Sequence, residues 1–237
     1  MINLIINELT ILLARKKYRI FFYILIAINI ITLFLINNGM TYHSEKNFDF
    51  VNYIINISFA NVLILCFSII LTSEIFGLEY TKGTIRNLLV TPIKRFNLLL
   101  AKFITVIIYA FIQYLTIFIF SIILNLLFEH TEFNLSYIIN VFINRNLLAL
   151  IFSIVICMFL VIYTKSISIS SVVAIVMYFI GHILSYSIFN SIREYYIYTY
   201  INVVIPSNEV VHVLILSIIY LLIFIGLIIY KFEKLKF

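Results

Sequence analysis

The sequence predicts an all-α, polytopic membrane protein, and three observations carry that reading. Of 237 residues, 64% are hydrophobic and only 11% are charged. The mean hydropathy is +1.16. Apolar stretches free of charge recur along the whole chain, several as long as the roughly 20 residues that a helix needs to cross about 30 Å of hydrocarbon. A soluble domain of this size covers its surface with polar groups, and 16 Lys and Arg with 10 Asp and Glu are too few for that. Alternation of polar and apolar residues, the mark of a barrel strand, is missing from runs such as Ile117 to Ile123. Two Pro, five Gly and two Cys leave no room for a low-complexity linker, a second soluble domain or a cysteine framework. A single transmembrane domain over residues 1–237 follows.

At the N-terminus, Ile2, Ile5, Ile6, Leu9, Leu12 and Leu13 recur at helical spacing opposite Asn3, Asn7, Glu8 and Thr10. That pattern describes a helix over residues 1–17 lying in the cytoplasmic interface, or an inner extension of the first span. Its basic cluster follows the apolar stretch instead of preceding it, and no small-residue cleavage site comes after, so the mature chain is expected to keep it. Six spans are predicted: Phe21 to Ile36, Ile54 to Ser73, Leu98 to Phe128, Asn146 to Tyr163, Ile167 to Phe189 and Val210 to Tyr230. The third exceeds what a bilayer requires, which implies tilt or a cytosolic extension at its charged start.

Lys and Arg are enriched in cytoplasmic loops. With both termini inside, all of the 16 except Lys46, Arg145 and Arg193 fall on the inner side. The basic balance therefore reports topology and anionic lipid, not nucleic acid. Within the spans, only His182 is a deep ionisable group, read as a packing residue. Glu74, at the inner end of the second span, is expected to face water or a basic neighbour. Asn29, Asn56, Asn61, Gln113 and Asn125 are candidates for hydrogen bonds between helices. Cys66 and Cys157 lie inside spans, and no cluster of His, Cys or carboxylates with metal-ligand spacing is present. Catalytic motifs are absent too. The nearest approach to a phosphate-binding loop, Gly77 to Thr84, has its Lys and Gly in the wrong order and follows a membrane helix instead of a strand. If ATP drives this protein, another chain hydrolyses it.

The inner loop from Glu74 to Lys102 is the most informative segment. Ile85, Leu88 and Leu89 stand at i, i+3 and i+4 while Lys82, Arg86 and Asn87 point elsewhere, a short amphipathic helix entered at Thr81 or Gly83. Thr91 as N-cap and Pro92 at the first helical position then open the third span. From the residues alone the segment is either a docking helix or a basic interfacial linker held by headgroups.

Glu79-Tyr80, Gly83-Thr84-Ile85-Arg86, Leu88-Leu89, Pro92, Arg95, Leu98-Leu99-Leu100 and Lys102 resemble the hallmark loop of permease subunits of bacterial ABC exporters of the type-2 class. In that family a glutamate precedes a Gly-Thr pair by four residues, and a Pro then an Arg open the third span. The resemblance extends to the six spans, the interfacial N-terminal helix and the internal termini. It implies that Gly83 to Leu89 form a coupling helix seated in a cytosolic ABC ATPase, which carries the ATP and Mg while this chain binds no cofactor. Glu79 and Arg86 would supply polar contacts, and Ile85 and Leu88 apolar ones. A second permease, identical or paralogous, would complete the pathway. The absence of a large external domain resembles the small permeases that export bacitracin-like antibiotics, lantibiotics and amphipathic peptide toxins. Ile-, Asn- and Lys-rich usage is similar to that of staphylococcal chains and points within the family to exporters of phenol-soluble modulins.

The outer segment Ser185 to Ser207 is aromatic but too short for another full span. Tyr186, Tyr195, Tyr196, Tyr198 and Tyr200 suit an outer aromatic belt, there being no Trp in the chain. The resemblance instead implies short re-entrant helices capping the pathway exit, with Tyr186, Arg193, Glu194 and Tyr195 at its rim. Ser166, Ser168, Ser170 and Ser171 suit a tight inner turn, where hydroxyls cap freed N–H groups. A bacterial cytoplasmic membrane permease exporting an amphipathic peptide or hydrophobic antibiotic is the expectation. A membrane scaffold or sensor subunit without a transport cycle is the alternative.

Overall fold

The computed structural model describes residues 2–37, 59–81, 95–127, 147–184 and 210–233. Among them there are seven α-helices and no strand: α1 (Ile2–Ala14), α2 (Lys16–Asn37), α3 (Phe59–Thr81), α4 (Arg95–Leu127), α5 (Leu148–Thr164), α6 (Ile167–Leu184) and α7 (Val210–Glu233). The chain is an all-α polytopic membrane protein. Val62–Thr81 and Phe96–Thr116 are long and apolar enough to cross a bilayer, and shorter apolar helices accompany them.

Helix α5 is the centre of the packing. Seven consecutive residues, Phe152 to Met158, are buried, so every side of the helix meets protein. Helices α3, α6 and α7 surround it, while α4 packs on α3 and α2, with α1 laid across α4. Small residues let the backbones of α5 and α3 approach. Ala149, Ser153 and Cys157 form a buried stripe at i, i+4, i+8, and the Cys157 Sγ donates to the Ile69 carbonyl of α3 at 3.2 Å. With lipid as solvent on the outside, such close van der Waals contact is what holds helices together. The buried hydroxyls of Thr72 and Ser153 bond within their own helices, Thr72 to the Ser68 carbonyl and Ser153 to that of Ala149.

The outer faces are apolar stripes at helical spacing. In α7, Ile215, Ile218, Ile219, Leu222 and Ile223 are exposed, and in α6 Ile169, Val172, Val173, Val176 and Ile180. Water would not tolerate such faces, and acyl chains do.

Helix ends follow local chemistry more than the bilayer boundary. Helix α3 continues two turns past Ser73, so Glu74 and Glu79 belong to a helix. Helix α4 spans 33 residues, about 50 Å at 1.5 Å per residue, and its charged start is an extension that receives α1. Helix α5 ends at Lys165, held at φ 54° with its N–H on the Val161 carbonyl at 2.8 Å. Ser166 then caps α6, its Oγ accepting from the Ile169 N–H. Ser170 and Ser171 bond carbonyls of their own helix, so of the inner-turn serines Ser166 is the one that caps.

Candidate functional site

The charged residues that pair between helices gather where α3 and α4 flank residues 82–94. In the last described turn of α3, Thr81 Oγ1 donates to the Leu78 carbonyl at 3.2 Å. Helix α4 begins at Arg95. Between these two ends lies the segment predicted to be the coupling helix. Gly83, Thr84, Ile85, Arg86, Leu88, Leu89 and Pro92 lie outside the described residues, as do Tyr186, Arg193, Glu194 and Tyr195; Arg95 is described in its backbone alone.

Glu79 and Thr81 are on the described helix, and Glu79 has a partner within the chain. Its Oε1 lies 2.5 Å from Lys102 Nζ, and the same ammonium meets Glu8 Oε1 at 2.9 Å. Lys102 is almost fully buried, at 4% side-chain exposure, while the two carboxylates keep 15% and 20%. A buried ammonium is stable only when its N–H groups are taken up, and two carboxylates from two other helices do so here. Glu79 precedes residues 82–94 and Lys102 follows them, so their ion pair ties the two sides of that segment together at its base. Glu8 brings α1 into the same knot.

A second knot ties the foot of α2 to α3. Lys17 Nζ and Tyr18 Oη both meet Glu74 Oε2, so the expected basic neighbour of Glu74 is Lys17. Tyr18 is buried between Phe67 of α3 and Tyr109 of α4, edge-on to both rings. The Tyr109 hydroxyl donates to the Tyr18 carbonyl at 2.9 Å. Phe21 stacks on Phe67 with centroids 3.4 Å apart. Burial and then the neighbouring Glu74 carboxylate push the Tyr18 phenol well above its ordinary range, which keeps it a hydrogen-bond donor at every physiological pH.

Gly77, between the two knots, lets α6 reach α3. A Cβ there would run into the Ile167 side chain and lie 3.5 Å from its Cα. Helix α3 is thus fixed on three sides near its end: to α2 through Glu74, to α4 and α1 through Glu79, and to α6 at Gly77.

Sequence reasoning named Glu79 and quoted Lys102 in the hallmark string, but it missed their pairing and the part played by Glu8. One signal was available: Lys102 stands in the run LLLAKFITVII, and a lone cation among apolar residues must find carboxylates. Gln113, expected to join helices, is fully buried, and among the described residues no hydrogen bond joins its side-chain amide to another helix. Among the described residues no group of three or more His, Cys, Asp or Glu is placed to hold a metal ion.

A family model described as "ABC-2 family transporter protein" matches residues 9–185. Among curated proteins the chain is similar to the "Uncharacterized membrane protein YdbK" of Bacillus subtilis (strain 168), 28% identical over 120 residues, which is 51% of this chain and 49% of that one. It is also similar to the "Uncharacterized protein YhcI" of the same organism, 32% identical over 88 residues, covering 37% of this chain and 28% of the relative. The chain thus matches about half or less of the length of these relatives. No solved structure matches.

Proposed function

The chain belongs to the ABC-2 transporter family, and from that premise we propose that it is the membrane-spanning permease subunit of an ATP-driven exporter, coupled through residues 82–94 to a separate cytosolic ATPase. The observation that carries the coupling step is the Glu79–Lys102 ion pair across the base of that segment. A helix seated in an ATPase cleft is useful only if its displacement reaches the spans. A closed base passes the displacement to α3 and α4 together, where an open one would absorb it. Glu79 then acts as a positioning residue held by Lys102, and contact with the ATPase falls to Arg86, Ile85 and Leu88.

Six spans, both termini inside the bacterial cytoplasmic membrane and a second permease, identical or paralogous, belong to the same proposal. ATP and Mg reside on the ATPase. The cargo is an amphipathic peptide or a hydrophobic antibiotic, since faces with so few charges suit an amphiphile better than a sugar or an ion. Phenol-soluble modulins are the specific class that residue usage favours.

A detergent pull-down of the tagged chain from its native membrane tests the proposal. It should recover a soluble P-loop ATPase. Gly83→Pro should lose that partner while the chain still inserts, because Pro breaks a short helix. Recovery of the chain alone under several mild detergents would favour a scaffold or sensor subunit instead.

A further inference from the structure

Gln113 is the only glutamine in the sequence. It stands in the apolar span Phe96–Thr116 of α4, about three turns outward of Lys102. The side chain is fully buried, and among the described residues no hydrogen bond joins its amide to another helix. An amide inside a membrane bundle ordinarily bonds across to a neighbour, and a buried polar group without such a partner calls for another donor or acceptor.

Side chains on a helix lean toward its N-terminus, so the amide lies over the turn that carries Tyr109. The Tyr109 hydroxyl is within electrostatic reach of it but donates its own proton to the Tyr18 carbonyl at 2.9 Å. Only acceptor capacity remains on that oxygen. It can serve an amide N–H and does nothing for Gln113 Oε1. Among the described side chains, the neighbours at this level are apolar. Tyr109 packs on Phe22 of α2 and Phe67 of α3, and one turn outward the same rows hold Leu25 and Ile64, both fully buried. Backbone N–H groups in the middle of these helices are taken by their own carbonyls.

We propose that Gln113 holds an internal water molecule in the seam of α2, α3 and α4. The water donates one proton to Gln113 Oε1 and the other to Tyr109 Oη, and it accepts from Gln113 Nε2–H. About three hydrogen bonds are the usual complement of a buried water. Size points to the same ligand. Gln113 and Tyr109 are both at 0% exposure, so whatever the amide holds is enclosed entirely, and a neutral donor and acceptor that small is water. The seam then has a polar joint whose bonds can be re-formed when α4 shifts, where a direct bond would fix one register.

With a single glutamine in the chain, isotope labelling of the glutamine side-chain nitrogen puts one amide pair in the NMR spectrum of the full chain in lipid nanodiscs. Magnetisation transfer from water to that pair is read in laboratory-frame and rotating-frame Overhauser spectra, whose relative sign separates a proton held nearby from exchange of the amide itself. Transfer by proximity is expected in the parent. It should persist in Tyr109→Phe, which removes the neighbouring hydroxyl proton. No transfer in the parent would overturn the proposal, since the amide would be dry. Transfer by exchange alone would overturn it as well, because the amide would be opening to bulk water. Transfer lost in Tyr109→Phe with the amide signal unmoved would do the same, the proton then belonging to the hydroxyl. Neither an ATPase nor a cargo enters this test, so its result is independent of the transport role proposed above.

Discussion

Replacing Lys102 by Met removes the ammonium and keeps an unbranched stem in its place. What remains is Glu8 and Glu79, two like charges at 20% and 15% exposure that had met on one Nζ. Breaking a buried ion pair by deleting one partner costs about 3–5 kcal/mol. Residual water on both carboxylates favours the lower end, so a loss of about 3 kcal/mol is expected, about a hundredfold in the folding equilibrium at about 1.4 kcal/mol per tenfold. The assay is reversible unfolding in mixed micelles of the parent, Lys102→Met, and Lys102→Met combined with Glu8→Gln and Glu79→Gln. The combined variant has no stranded charge and should recover most of the loss. A single variant within about 0.5 kcal/mol of the parent, the level of an exposed pair, would refute the reasoning. A combined variant no better than the single one would do the same.

Gly77→Ala should cost about 1–3 kcal/mol, because the new methyl meets Ile167 across the α3–α6 contact. Adding Ile167→Ala should return part of it, measured as a coupling energy in a double-mutant cycle. Lys165→Gly should raise stability by about 0.5–1 kcal/mol, read as an increased Tm, since φ 54° suits Gly and strains Lys. Tyr18→Phe keeps the ring between Phe67 and Tyr109 but loses the hydrogen bond to Glu74. About 1.5–3 kcal/mol should go with it in the same unfolding assay, the usual range for a bond to a charged group.

Most of the helix order was legible because lipid as a solvent imposes a simple rule: long charge-free runs become helices. The same rule does not reach the last described turns of α3. A charge-free run stops at Ser73, yet the helix continues to Thr81, because Lys17 neutralises Glu74 and Lys102 neutralises Glu79. Both partners are remote in sequence, 57 residues away for Lys17 and Glu74, so no window-based reading reaches them. Glu8 shows the limit of periodicity. Grouped with Asn3, Asn7 and Thr10 as a polar face, it turns to the protein instead, because a buried ammonium 94 residues on attracts it. The loop-side pattern was legible through its resemblance to a family, while the knot that anchors it became visible only when α1, α3 and α4 were placed side by side.

Whether residues 82–94 dock on an ATPase is tested most directly by a photo-crosslinking side chain at Ile85 or Leu88, activated in native membranes. Crosslinks to a soluble P-loop ATPase, absent when the same group is placed at Ile2 or Ile20, are the predicted result. Crosslinks from Ile85 and Leu88 to lipid alone, with the chain intact and inserted, would contradict it and make the segment a membrane-bound linker.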